Sequence, residues 1–245
     1  DVYKRQVLLF QDVTEREQAE RIRREFTANV SHELKTPLQS IIGSAELLEN
    51  GLVKPEDQPR FLSRIHQEAD RLVALINDIL RLSQLDEGGA LPHEQVSVLE
   101  LAQEAARSLT AQAAAQAVHI SVTGTVGTVF GVRRLLYEIA RNLCENAVKY
   151  NVPGGSVTVE VAETDRDVAL LVRDTGIGIP EGDQSRVFER FYRVDKSHSR
   201  AIGGTGLGLS IVKHAVAYHH GTLRLESQLG KGTVITVTLP KKPTE

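Results

Sequence analysis

Methionine and tryptophan are missing from this chain, and there is a single cysteine, Cys144. One thiol cannot close an internal disulfide, so the fold has no covalent staple, and a reducing, cytosolic setting fits. From the absence of even an initiator methionine we expect the chain to be a fragment with an N-terminal part upstream of Asp1. No apolar run approaches the ~20 residues of a membrane span, and no signal-peptide pattern is present. The fragment is therefore expected to be cytoplasmic. Any membrane anchor would belong to that expected N-terminal part. A net charge of -3 provides no field that would steer the chain to nucleic acid, so none is expected as a partner. Eight histidines are present, including His214, His219 and His220. No cysteine or carboxylate set stands at zinc-like spacing around those three, and they read as surface residues.

What is present is a soluble, globular composition: 245 residues, 41% hydrophobic and 25% charged, enough for one large or two ordinary domains. Val7-Leu-Leu-Phe10 reads as a short strand. From Thr14 to about Asn50, apolar residues at spacings of three and four form one helical stripe, including Phe26, Val30, Leu34, Leu38, Ile41 and Leu48. Thr14 and Glu17 have capping-box spacing at its start, and Gly51 ends it. Pro55 and Pro59 open a second long helix, which stops at Asp86-Glu-Gly-Gly89. Two long amphipathic helices joined by a short loop make an antiparallel hairpin. One hairpin cannot bury both stripes well, whereas two copies can form a four-helix bundle, so residues 14–88 are expected to form a homodimer.

Beyond the linker at Gly88 to Pro92 the pattern changes. It predicts an Ala-rich helix from Val98 to about Gln116, a strand over 118–122 and a helix over 132–150. Strands follow over 156–162 and 168–173, then a helix over 207–219 and strands over 222–226 and 233–239. Hairpin-joined strands interspersed with helices predict a mixed α/β sandwich, and the whole chain an α+β protein. The expected divisions are 1–13 (the end of an upstream module), 14–88, a linker over 89–96, 97–240, and a tail over 241–245.

Four stretches could carry chemistry. His32, followed by Glu33, lies in the first helix with Thr36 one turn on. Pro37 then stands inside the helix, a breach costing roughly 3 kcal/mol that leaves the Glu33 carbonyl without its helical partner. A local violation inside a strong pattern is a place to look for function. A kinked core helix bearing a solvated histidine accounts for the same residues. In the second half, Asn142 and Asn146 share a helix face, with Lys149 and Tyr150 next. Amide oxygens can ligate Mg²⁺ and lysine can neutralise phosphate, although such residues often form a solvated face. Asp174-Thr-Gly-Ile-Gly178 follows a strand. Its glycines permit a close backbone approach, and its carboxylate could accept a hydrogen bond from an exocyclic amine, but a plain turn has the same residues. Gly203-Gly-Thr-Gly-Leu-Gly208 opens a helix, which makes an anion site. It is neither a Walker loop nor a dinucleotide fingerprint. The polar stretch between these last two signals, from the run Val187-Phe-Glu-Arg-Phe-Tyr-Arg193 to Arg200, is expected to be a mobile lid.

In this order the four stretches resemble the bacterial two-component sensor histidine kinases. The first is similar to the H box of the HisKA dimerisation domain. The other three are similar to the N, G1 and G2 boxes of the Bergerat (GHKL) ATP-binding domain, and the run Val187–Arg193 is similar to its F box. Phosphate-sensing and cell-wall-sensing kinases look closest, and Val7–Phe10 resembles the last strand of a PAS module. The resemblance implies ATP and Mg²⁺ as cofactors and His32 as the phosphoacceptor, with Glu33 taking its Nδ1 proton. Thr36 would assist dephosphorylation of a response regulator's receiver domain, the implied partner. It further implies that Asn146 ligates Mg²⁺ with Asn142 in support. Lys149, Arg190 and Arg193 would address phosphates, and Tyr150 would pack near the adenosine. Asp174 would read the adenine, aided by Gly176 and Gly178. Gly204, Thr205, Gly206, Leu207 and Gly208 would wrap the phosphates.

Many relatives have Gly-Asp where this chain has Gly131-Val132, which reads as loss of a capping side chain. Two alternatives remain: an ATPase of the gyrase, Hsp90 or MutL kind, or a nucleotide-regulated interaction module. Those ATPases carry a water-activating Glu four residues before the Mg²⁺-binding Asn. Here that position is Asn142, and Glu145 projects about 100° away from Asn146.

Overall fold

The computed structural model describes residues 14–86, 91–194 and 204–242. The strand read at Val7–Phe10, the glycines of the linker and the centre of the polar stretch lie outside the described residues. Contacts divide the chain into two units, Asp1–Leu72 and Val73–Glu245, so the second long helix passes through the division.

The first unit is a helical hairpin. Helix α1 spans Thr14–Glu49, a 3₁₀ turn spans Pro55–Asp57, and α2 spans Gln58–Asp86. The α1 C-terminus is closed by paired reverse bonds, Gly51 N–H to Leu48 O at 3.1 Å and Leu52 N–H to Leu47 O at 3.0 Å. Helix α1 continues through Pro37, which is buried. Directly before it, Thr36 Oγ1 donates to the His32 carbonyl at 3.2 Å, a side-chain bond that bends helices. The turn after His32 thus carries two departures from regular helix bonding. Across the hairpin, Arg64 Nε donates to Ser40 Oγ. Leu38, Ile42, Leu47 and Leu62 remain exposed, so the single hairpin leaves part of its apolar stripe uncovered. No helix among the described residues is long and apolar enough to cross a membrane.

The second unit begins with the end of α2. Strand β1 (Glu94–Ser97) leads into α3 (Val98–Ser108) and α4 (Thr110–Ala115), followed by β2 (His119–Gly124) and β3 (Thr128–Gly131). Helix α5 (Arg133–Lys149) precedes β4 (Ser156–Glu163) and β5 (Asp167–Asp174). The single turn α6 (Glu181–Gln184), α7 (Gly208–Tyr218), β6 (Thr222–Gln228) and β7 (Gly232–Pro240) complete it. Five strands form one mixed sheet in the order β2-β4-β5-β7-β6, with β2 and β4 parallel and the other pairs antiparallel. Alternate residues face the helices: Val157, Val159 and Val161 on β4, Val168, Leu170 and Val172 on β5, and Val237 and Leu239 on β7 are all buried. They meet Leu101 and Ala105 of α3, Ile139 and Leu143 of α5, and Val212 and Ala215 of α7 in one core. Burying each large aliphatic side chain contributes roughly 1.5–3 kcal/mol.

Three sequence expectations change. The Ala-rich helix is two, because Leu109 leaves helical geometry at φ −102° and ψ 1°. A second, two-stranded sheet pairs β1 with β3, with Glu94 opposite Gly131. His219 is not a surface residue; it is 6% exposed. Its Nε2 accepts the Val132 N–H at 3.0 Å and its Nδ1 donates to Ala215 O at 2.7 Å. Val132 indeed offers no side-chain cap to α5, but the imidazole from α7 satisfies the backbone N–H there.

Candidate phosphoacceptor and nucleotide sites

On the hairpin, His32 is exposed and Glu33 half-buried. Glu33 Oε2 lies 3.6 Å from Arg71 Nη2, and Glu68 Oε2 lies 3.8 Å from Arg71 Nη1. Thr36 is exposed on the same helix, its hydroxyl turned to the His32 carbonyl. His32 thus stands open to solvent, and the next residue, Glu33, is paired across the hairpin with Arg71.

The second unit contains a cavity of about 630 Å³. Helix α5 supplies one wall, because the spacing of four puts Asn142 and Asn146 on one face, with Lys149 and Tyr150 at the helix end. Asn142 Nδ2 donates to Glu138 O at 2.8 Å and to Glu138 Oε2 at 3.3 Å. Its amide nitrogen is thereby committed, and its oxygen lies 2.8 Å from where a Cβ on Gly208 would stand. Glu145 pairs with Arg141 at 3.6 Å and Glu138 with Arg81 at 3.3 Å, so both carboxylates near the asparagines are engaged by arginine.

Asp174 ends β5 and lines the cavity. Its Oδ1 accepts from the Gly176 N–H at 2.8 Å and the Thr233 N–H at 3.2 Å, neither of which uses Oδ2. Burial holds its carboxyl above the usual range, against the pull of those two N–H groups. Gly178 has φ +68°, and a Cβ there would sit 2.1 Å from the Gln228 carbonyl oxygen. Only glycine allows this loop to pass so close to the end of β6. The loop is laced in place by Ile177 N–H to Tyr150 O at 3.1 Å and Gly230 N–H to Ile177 O at 2.7 Å.

The glycine-rich segment enters α7 along the same cavity, lined by Gly204, Thr205, Gly206 and Gly208. Gly206 O accepts the Phe191 N–H at 2.8 Å, and Phe191 itself takes φ 65°, a left-handed conformation that costs about 1–3 kcal/mol in a non-glycine residue. The run Val187–Arg193 is thereby tied to the glycine-rich segment. Thr205 Oγ1 donates to Asp78 Oδ2 at 2.8 Å, and burial raises the Asp78 carboxyl's proton affinity despite Thr205 and Arg81. Arg193 also lines the cavity. Three residues expected at the site stand back from its lining. Gly176 is buried beneath it, Leu207 is fully buried, and Arg190 donates to His214 Nε2 at 3.1 Å.

Two family models cover most of this architecture. Residues 22–88 match the His Kinase A (phospho-acceptor) domain. Residues 131–243 match the histidine kinase-, DNA gyrase B- and HSP90-like ATPase. The mycobacterial sensor histidine kinase MprB, as a solved structure, is 32% identical, with a TM-score of 0.55, over 62% of this chain and 100% of that one. The chain belongs to the sensor histidine kinases. The sensor-like histidine kinase SenX3 of Mycolicibacterium smegmatis is 40% identical over 241 residues, 97% of this chain but 62% of that protein. The structure of full-length ShkA in complex with AMPPNP is similar at 28% identity and a TM-score of 0.65, over 90% of this chain and 46% of that one. Most of the cavity's lining lies within the segment matched to the ATPase model, and the rest comes from the end of α2.

Sequence reasoning missed several residues that line the cavity or bond to its lining. Glu138 carries a detectable signal, one turn before Asn142 on the same face. Asp78, Arg81 and Thr233 carry none, because they reach the site only through the folding of distant segments.

Proposed function

We propose that this chain is a kinase core that transfers the γ-phosphoryl group of ATP to His32 and passes it to an aspartate of a response regulator. Asn142 carries the reading. It stands where hydrolysing relatives place a carboxylate. With no carboxylate at that position to activate water, the phosphoryl group needs another acceptor, and His32 is exposed on the matched phosphoacceptor domain.

The neutral imidazole attacks through Nε2. An N–P bond forms as the bond from the γ-phosphorus to the bridging oxygen breaks, ADP leaves with that electron pair, and Glu33 takes the Nδ1 proton. Asp174, with Oδ2 outside its two backbone bonds, would accept from the adenine amino group. Lys149 and Arg193 would offset phosphate charge, as would the N-terminus of α7. The donor set fits Mg²⁺: Asn142 presents a hard amide oxygen and Asn146 lines the same wall. When bound, the ion would neutralise charge on the phosphates. The exposed apolar residues of the hairpin support a homodimer through residues 14–88, and the phosphoacceptor domain implies a receiver-domain partner. Thr36, one turn beyond His32, would aid dephosphorylation of that regulator.

Incubation with Mg-ATP labelled at the γ-phosphate tests this. Base-stable, acid-labile label should accumulate on the protein to about one phosphate per chain or fewer, with ADP release stopping in step. Sustained ADP release without labelled protein would establish an ATPase instead. Bound nucleotide with neither activity would leave only a regulatory module.

A further inference from the structure

Glu33 is held from the opposite helix. Arg71, on α2, places Nη2 3.6 Å from Glu33 Oε2 and Nη1 3.8 Å from Glu68 Oε2. The cluster is withdrawn from solvent, with 14% of the Arg71 side chain exposed, 27% of Glu33 and 24% of Glu68. Glu68 Oε2 is buried without a hydrogen bond, so the guanidinium is the cation that offsets it. Charges this far out of water are screened less than surface pairs. Glu68 precedes Arg71 by one helical turn and anchors one arm of the planar fork from within α2. The other arm reaches across the hairpin to Glu33. A guanidinium suits this task because its donors are fixed in one plane, whereas an ammonium is a point charge on a flexible stem.

We propose that Arg71 is a positioning residue for histidine phosphorylation. Pinned by Glu68, it fixes the Glu33 carboxylate on the hairpin so that it stands ready beside His32 when the Nδ1 proton leaves. This rests on the reading of Glu33 as the base. It adds a device on α2, and any twist of α2 that moves Arg71 would misplace that base.

The test uses the whole chain in single-turnover autophosphorylation at saturating Mg-ATP, with melting temperature and ATP affinity measured alongside. Glu33→Gln should slow phosphorylation by about 10²–10⁴-fold, the usual contribution of a general base. Arg71→Gln should slow it about tenfold, a fraction of what a misplaced group costs, with ATP affinity unchanged. Arg71→Lys should recover only part of that loss, because it keeps the charge but not the planar fork. Arg71→Gln added to Glu33→Gln should cause no further loss, because effects that act through one group do not add. A merely structural role predicts instead that the two losses multiply, and that result would overturn the proposal. So would a wild-type rate for Arg71→Gln beside an impaired Glu33→Gln. A wild-type rate for Glu33→Gln would remove the base reading itself, and the proposal with it. If Arg71→Gln fails to fold, Glu68→Gln serves in its place. A loss of about threefold, absent in the Glu33→Gln background, supports the anchor, and no loss refutes it.

Discussion

Acid should weaken the ATP-binding unit through His219. The imidazole is neutral by construction, since Nε2 accepts from Val132 N–H and Nδ1 donates to Ala215 O. Protonation of Nε2 would destroy the acceptor at the start of α5. Burial is the main cause that lowers its proton affinity; His93 and His220 act in the same direction, and the Ala215 bond opposes them. The folded pKa therefore lies below the unfolded value of ~6.5. Above ~6.5 neither state binds the proton and the stability is fully present. Below ~6.5 the unfolded chain binds it first, so stability falls by up to ~1.4 kcal/mol per pH unit, levelling off once the pH passes below the folded pKa. For a unit of this size that is a melting-point loss of roughly 3–5 °C per pH unit. Calorimetry of the wild type and His219→Gln between pH 7.5 and 5.5 isolates the effect, because the other titrating groups are common to both. The wild type should melt higher at pH 7.5 and lose that advantage as the pH falls. Parallel slopes for the two proteins would refute the reasoning.

Three further outcomes follow from the site. Asp174→Ala should weaken ATP binding by about 1.5–3 kcal/mol, the worth of a hydrogen bond to a charged group, as read by calorimetric titration. Unchanged affinity would remove Asp174 from adenine recognition. Gly178→Ala meets the Gln228 carbonyl and a left-handed backbone, so it should lose at least ~1–2 kcal/mol of stability in denaturant unfolding and bind nucleotide more weakly. A neutral substitution would show that the loop yields freely. Thr36→Ala should lower phosphatase activity towards the response regulator more than autophosphorylation, and equal losses would count against its assigned role.

The sequence carried most of what local chemistry determines. Helices α1, α2, α5 and α7 were legible because their apolar periods are long and their ends carry Gly51, Pro55 or the glycine-rich run. The paired strands β4–β5 and β6–β7 were legible because each joins its partner through a short turn. The sheet of β1 and β3 was not, since four-residue strands have no measurable period and Glu94 pairs with Gly131 across the intervening α3, α4 and β2. His219 was misread for the same reason. Nothing near it in the chain foretells that it will meet Val132 across two helices. The residues expected at the nucleotide site stood out because glycine, asparagine and aspartate at those spacings are unusual in a plain helix or turn. Glu138, Arg81 and Arg71 are ordinary charges on amphipathic helices. Only their partners distinguish them, and those partners come from elsewhere in the fold.

The most direct measurement is the location of the phosphate itself. After reaction with Mg-ATP, mass spectrometry under alkaline conditions should find one phosphohistidine, at His32, and His32→Gln should bind ATP normally yet carry no acid-labile phosphate. Phosphate on another residue, or undiminished labelling of His32→Gln, would contradict the assignment of His32 as the acceptor.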